Sequence, residues 1–455
     1  MAPVVHARAV FAALRGAIVL SALVLTWSWA PGVDAQGQAP LRPRHDRPIF
    51  GQPDPRQSGD EGKDGGLSLS GSLFGAYDDD LAVDAGTTTP LRPHETVAGT
   101  YSALSGRLVY DKISDTLTFR ADGASSVRYY PQFQTVTTGR QYANIATAWA
   151  SELSRNTTFS AGGMARYSDH GLPFDSTIGV QDHPDVGDGS TVPPEVGLGE
   201  EIVESRRRGS IGGQARLTRT IGRRQQVGLV ADGEMSALEG AERLDAYGGG
   251  GVYSSEIGRS GLFRAGYSLQ QVQRGGTNYF VHNVALGGDY QRPLSASRRG
   301  FVSFTGGTAL LESNGTSRIF ATGDATLNYS FRAPWAMVVR YNRMVNFIVE
   351  VQQPLLSDGV TTEFSGVLNR RLDFLGSGSV RRGNVGLSDN ASPYNVAGGR
   401  ARMRLGLSRN VAAYVEYLYF HYDFKRPVDL ADGLPQTLDR QTVRVGLTLN
   451  ARLIR

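Results

Sequence analysis

The 455-residue chain contains no cysteine. That excludes a disulfide framework, a thiolate metal site and a cysteine nucleophile. Beyond residue 35 no apolar run reaches the ~20 residues that a membrane-spanning helix needs, and no stretch shows a strong helical period. Basic residues are scattered rather than massed and the formal charge is only +4, which argues against a nucleic-acid partner. Beyond residue 35 histidine occurs only at His45, His94, His170, His183, His282 and His421. A hydrolase would need one of them beside a Ser and an acid. Ser168, Asp169 and His170 adjoin, but neighbours in a strand point to opposite faces and build no triad. Gly248 to Gly251 lies within a strand pattern, between Tyr247 and Tyr253, and is no phosphate loop. These absences exclude most enzymes and leave no cofactor or metal to expect.

What is present begins with an export signal. His6, Arg8 and Arg15 make a basic start, residues 16–30 are almost wholly apolar, and Val33-Asp34-Ala35 offers small residues for a signal peptidase. Cleavage is expected after Ala35, so 1–35 is a signal peptide. Residues 36–66 hold Pro40, Pro43, Pro48, Pro53 and Pro55 among glycines and charges, and read as a disordered periplasmic leader.

From residue 67 to 455 the texture is uniform. In 117–129 Leu117, Phe119, Ala121, Val127 and Tyr129 alternate with Thr118, Arg120, Asp122 and Arg128. In 319–331 Ile319, Ala321, Ala325, Leu327, Tyr329 and Phe331 alternate with Thr322, Asp324, Thr326, Asn328 and Ser330. In 443–451 Val443, Val445, Leu447, Leu449 and Ala451 face Arg444, Thr448 and Asn450. A period of two means strands with one apolar and one polar face. About eighteen such segments can be counted, among them 361–373 and 375–385 joined by a tight link at Phe374.

Connection lengths supply a separate test. The odd-numbered ones are often long (78–95, 130–140, 169–204, 349–360, 386–394, 423–437), and the even-numbered ones mostly short, 292–299 being the longest. Outer-membrane barrels alternate long external loops with short periplasmic turns, and a soluble sandwich has no reason to. Aromatics gather near the expected outer strand ends (Tyr77, Tyr129, Tyr142, Tyr167, Phe280, Phe320, Tyr422) and inner ends (Tyr110, Tyr290, Phe301, Phe331, Trp335, Phe374), where a barrel carries its interfacial girdles. The fold predicted is therefore all-β: a transmembrane antiparallel β-barrel of about eighteen strands in the bacterial outer membrane. Its lumen is too wide for side chains alone to fill.

The clearest interior feature is arginine. Arg400, Arg402 and Arg404 share one face of one strand, and Arg120, Arg128, Arg166, Arg216, Arg264 and Arg340 fall on predicted inward faces. Asp122, Asp232, Glu234, Asp324, Glu363 and Asp373 share that interior. Aligned charges set pore selectivity, so one reading is a track for an anionic solute or polymer, and the other is a structural ion-pair network between strands. The loop 169–204 is acidic. It reads as a solvated external loop, a constriction paired with the arginines, or a divalent-cation site, although its spacing matches no metal motif.

Leu73-Phe74-Gly75-Ala76-Tyr77-Asp78-Asp79-Asp80 resembles the start of the barrel in outer-membrane proteins associated with exopolysaccharide or capsule synthesis. The resemblance implies a barrel that helps a surface polysaccharide across the outer membrane with periplasmic export partners, and it transfers no functional residue. The function expected is such a conduit. The alternatives are a general diffusion porin for small anionic solutes, or an adhesive surface barrel using the 169–204 loop.

Overall fold

A computed structural model describes residues 66–79, 81, 98–114, 116–138, 141–168, 178–179, 207–239, 241–258, 260–295, 298–332, 335–347, 351, 353–386, 391–425 and 436–454. The expected signal peptide, all of the leader but Gly66, and the acidic loop apart from Ile178–Gly179 lie outside them.

The alternating segments form strands β1 (Gly66–Asp78), β2 (Gly99–Ile113), β3 (Leu117–Tyr130), β4 (Thr135–Thr138), β5 (Tyr142–Ser154), β6 (Thr157–Ser168) and β7 (Ile178–Gly179). They continue as β8 (Arg208–Thr220), β9 (Gln225–Leu238), β10 (Leu244–Ile257), β11 (Gly261–Arg274), β12 (Thr277–Ser295), β13 (Arg298–Ser313) and β14 (Thr316–Arg332). The last are β15 (Trp335–Phe347), β16 (Leu355–Val367), β17 (Leu372–Val385), β18 (Ser392–Gly406), β19 (Val411–Phe424) and β20 (Thr437–Ile454). Every pairing is antiparallel between sequence neighbours, with the short β4 and β7 standing outside the main succession. The last strand, β20, pairs with β1 from Leu67↔Ile454 to Asp78↔Thr442. That pairing closes an 18-stranded ring.

Closure and residue parity together place the apolar surface. Leu73, Leu104, Leu229, Leu286, Ile319, Val445 and Leu447 stand exposed on one face, and the alternate positions face the lumen. A ring leaves no unpaired sheet edge in hydrocarbon, where each orphaned amide costs several kcal/mol. A closed sheet with a greasy exterior is the membrane-spanning solution, and it puts the protein in the outer membrane.

The connections sort by end. At one end they are short: 114–116, 155–156, 221–224, 333–334, 368–371 and 407–410. We call this the inner end; the other end carries 79–98, 169–207 and 425–436. Among the outer connections is Asn314-Gly315, with φ of 49° and 75°, a two-residue turn whose twist matches the flanking strands. A Cβ on Gly315 would meet nothing within 4 Å. Gly315→Val therefore tests backbone strain alone, and should lower the urea stability of the folded barrel by about 1–3 kcal/mol. An unchanged midpoint would count against this turn.

Three details differ from the sequence reading. The link expected at Phe374 is the turn 368–371, because Asn369 Oδ1 accepts from the Arg371 and Leu372 amides at 2.8 and 2.9 Å and reverses the chain earlier. Phe374 lies within β17. The connection expected at 292–299 shrinks to 296–297, since β12 continues through a register shift at Pro293. Four expected girdle aromatics face inward: Tyr422 is buried in an interior cluster, Phe320 packs against another, and Tyr142 and Phe301 stand in register with the inward Ala124 and Asn328, at the parity opposite to the exposed Ile145 and Val302. Tyr77, Tyr129, Tyr167, Phe280, Tyr110, Tyr290 and Phe331 stand exposed on the outside. Trp335 stacks on Phe364, with centroids 5.0 Å apart.

Candidate functional site: the barrel interior

Burial on the interior face changes along the strands. On β1 the inner-half positions Ser68, Ser70 and Ser72 are partly open, while Phe74, Ala76 and Asp78 are buried. On β18, Arg400, Arg402 and Arg404 are partly open, and Ser392, Tyr394 and Val396 are buried. The same trend holds on β11, where Ser268, Gln270, Val272 and Arg274 are buried toward the outer end. The interior thus forms a vestibule in its inner half and a packed zone in its outer half.

The packed zone contains three apolar clusters. One gathers Phe74, Tyr101, Ala103, Tyr130 and Tyr414. A second gathers Val351, Leu355, Tyr394, Val396, Tyr422 and Phe424. The third gathers Leu244, Val272, Val281, Leu311, Val345 and Phe347. The arc from β5 to β9 is different: Arg166, Gln214 and Asp232, all on interior positions, are exposed. Here a polar strip of wall is open through most of its height.

The nine arginines singled out in the sequence fall into three settings. Some are held by carboxylates. Arg264 donates to Asp289, and also to Ser303 Oγ at 2.8 Å. Arg120 lies 3.6 Å from Asp111 and 4.0 Å from Asp122. Arg400 Nε donates to Glu416 at 2.6 Å, and Arg404 Nε to both Asp373 oxygens at 3.2 and 3.0 Å.

Others are held by rings or left open. Arg128 is buried, its guanidinium 5.4 Å from the Tyr101 centroid. Arg402 lies 4.7 Å from the Tyr414 centroid and has no ion pair among the described residues. Arg166 and Arg340 are exposed, each without an ion pair among the described residues. In register Arg166 has Asn144 and Ser210 as neighbours, and Arg340 has Thr326 and Thr361. Arg216 is half-buried between Ser160 and Val230.

Glu416 is the hub of the largest group and is absent from the sequence-derived interior carboxylates. It receives Arg400, lies 3.6 Å from Arg444 Nη1, and its charge acts on Arg402 across the strand pair. Arg400, Arg402, Arg404 and Arg444 thus gather about two carboxylates, Glu416 and Asp373. Parity could have found Glu416, since it lies between the outward Val415 and Tyr417.

The closure between first and last strands carries a second buried site. Asp78 accepts from Arg440 Nε at 3.0 and 3.1 Å and from Nη2 at 2.6 Å, and from Thr442 Oγ1 at 2.9 Å. Asp79 Oδ1 accepts the Gln441 amide at 2.7 Å. Burial pushes the Asp79 carboxyl above the ordinary carboxylate range, against the lowering effect of that amide. The paired aspartates of the 73–80 motif are therefore the fastening between β1 and β20. Among the described residues no group of His, Asp and Glu could hold a metal.

No protein-family profile matches the chain, and no curated protein matches it. Solved structures resemble it at low identity. OccK2 (OpdF) of Pseudomonas aeruginosa, in complex with glucuronate, has a TM-score of 0.43 at 10% identity, over 86% of this chain and 99% of that one. OpdQ of Pseudomonas aeruginosa has 0.42 at 12%, over 86% and 98%. OccAB3 of Acinetobacter baumannii has 0.40 at 9%, over 85% and 100%.

Proposed function

We propose that the barrel is a passive outer-membrane conduit for small anionic solutes. The observation that carries this is Arg402. Its neighbours two residues away on the same face, Arg400 and Arg404, are bound to carboxylates, whereas Arg402 forms no ion pair among the described residues. Positions i and i+2 on one strand lie roughly 7 Å apart, so a guanidinium held by the Tyr414 ring rather than by an ion pair sits between two bound to carboxylates. A guanidinium fork suits carboxylate and phosphate groups, and a ring of like charge selects ions entering a pore. Arg166 and Arg340, open on the interior face, add attraction of the same sign.

Reversal potentials in planar bilayers under a KCl gradient test this. Arg402→Gln should reduce the anion preference, and the combined replacement of Arg400, Arg402 and Arg404 by Gln should reduce it further, because it also leaves the charges of Glu416 and Asp373 uncompensated. An unchanged chloride preference in the triple variant would sink the proposal.

The surface-polysaccharide route rests on the 73–80 motif. The paired aspartates of that motif already serve barrel closure, so they lend export and its periplasmic partners no separate support. The adhesive reading depends on the acidic loop 169–204, outside the described residues.

A further inference from the structure

On the interior face of β15, β16 and β17 two arginines stand without a carboxylate. Arg340 of β15 is exposed and Arg381 of β17 is partly open, and neither forms an ion pair among the described residues. Both take the lumen-facing parity. Tyr341 and its register partner Val360 are exposed on the outside, and Arg340, Gly359, Thr361 and Arg381 alternate with that set. The lumen-facing carboxylates beside them are Asp324, opposite Asn342, and Glu363, two residues from Thr361. Neither pairs with Arg340 or Arg381 among the described residues.

Gly359 lets the two approach one another. In register it lies between Asn342 and Arg381. A Cβ at this position would collide with Asn342 Oδ1 and would stand 3.5 Å from Arg381 Nε, so the Arg381 side chain crosses onto β16 over the glycine. Thr361, two residues toward the inner end on the same face, is the register partner of both Arg340 and Ser379. The Cα atoms of Arg340 and Arg381 are thus two strands and two residues apart, roughly 12 Å from strand spacing and rise. Two long side chains can close that gap around one anion.

Their height suits a point of selection. On β16, Ser357 and Gly359 are buried, whereas Thr361, Glu363 and Ser365 are partly open. The two arginines therefore stand where the vestibule narrows toward the packed zone. Arg402 lies further inward, in register with Leu375 of β17, so a solute entering from the inner end passes it first.

The number of donors selects the ligand. A guanidinium offers five N–H donors and accepts nothing. Two of them, with the hydroxyls of Thr361 and Ser379 and the amide of Asn342, outnumber what the two oxygens of a carboxylate can receive. A phosphate monoester carries about −1.5 to −2 charge at pH 7 and three strong acceptor oxygens, and it matches both the charge and the donors. We propose that Arg340 and Arg381, meeting over Gly359 and Thr361, form a binding point for phosphate monoesters in the lumen. The inference rests on the conduit reading for the solute's access, and it adds a solute class that Arg402 alone does not specify.

Calorimetry on the detergent-folded barrel separates binding from conduction. Glycerol 3-phosphate should bind about tenfold or more tightly than glycerate, its carboxylate counterpart, because more charge-assisted bonds form. Arg340→Gln and Arg381→Gln should each weaken glycerol 3-phosphate binding by about tenfold, and the double variant should lose the preference over glycerate. Equal affinity of the parent for the two ligands would overturn the site, and so would parental affinity in the double variant. If the double variant does not fold, Arg340→Lys with Arg381→Lys decides. It keeps both charges and removes both forks, so glycerol 3-phosphate affinity should fall several-fold, and undiminished affinity would overturn the proposal. A parent that binds glycerol 3-phosphate but shows no chloride preference in bilayers would remove the conduit reading and leave this binding point standing.

Discussion

Replacing Asp78 with alanine should cost the folded barrel about 3–5 kcal/mol, the range for breaking a buried ion pair by removing one partner. Asp78 and Arg440 are 0% and 2% exposed at the side chain, and Arg440 is among the largest fully buried side chains. Without Asp78, the guanidinium and the Thr442 hydroxyl lose their shared acceptor at the junction that closes the ring. Arg440→Ala should cost a similar amount by leaving the buried carboxylate without this countercharge. Asp78→Leu with Arg440→Met removes both charges and should cost markedly less than either single change, since the desolvation penalty leaves with the pair. Urea titrations of the detergent-folded protein, read by heat-modifiable gel mobility, report all three. Additive single and double losses would show that the pair does not act as a unit.

Parity explains both what the sequence revealed and where it misled. An exact period of two sends each strand's apolar set outward once closure is assumed, so Arg400, Arg402, Arg404 and Arg264 could be placed on the interior without coordinates. The same rule covers Glu416, Arg440 and Arg444, which needed only to be read through. Turns were less legible. Val367-Leu368 looks like the middle of a strand until Asn369 folds its side chain onto two following amides. Pro293 looks like a breaker, yet β12 passes it through a register shift. Tyr422 sits where a girdle residue belongs in the sequence, but its parity matches the inward Tyr414 and Leu418. The burial of Val345 and Phe347 could not be read at all: both alternate regularly, yet they pack in an interior cluster where β14 and β15 no longer pair beyond Gly323 and Arg343, which local pattern does not encode.

Glu416→Gln should move stability and selectivity in opposite directions. Its side chain is 3% exposed, with Arg444 at 4% and Arg400 at 14%. The amide oxygen can still accept from Arg400, but the charge that balances three nearby guanidiniums is gone. Like-charge repulsion in a low-dielectric wall is strong, so the folded barrel should lose about 3 kcal/mol. Removing that negative charge also raises the positive potential of the vestibule. The KCl reversal potential should therefore shift toward greater anion preference, opposite in sign to Arg402→Gln. The double variant Glu416→Gln, Arg402→Gln restores the local charge balance and should return selectivity close to the parental value, with part of the stability recovered. If the arginines serve only to tie strands together, stability will fall with Glu416→Gln while the reversal potential stays put, and that dissociation would separate a structural network from a solute path.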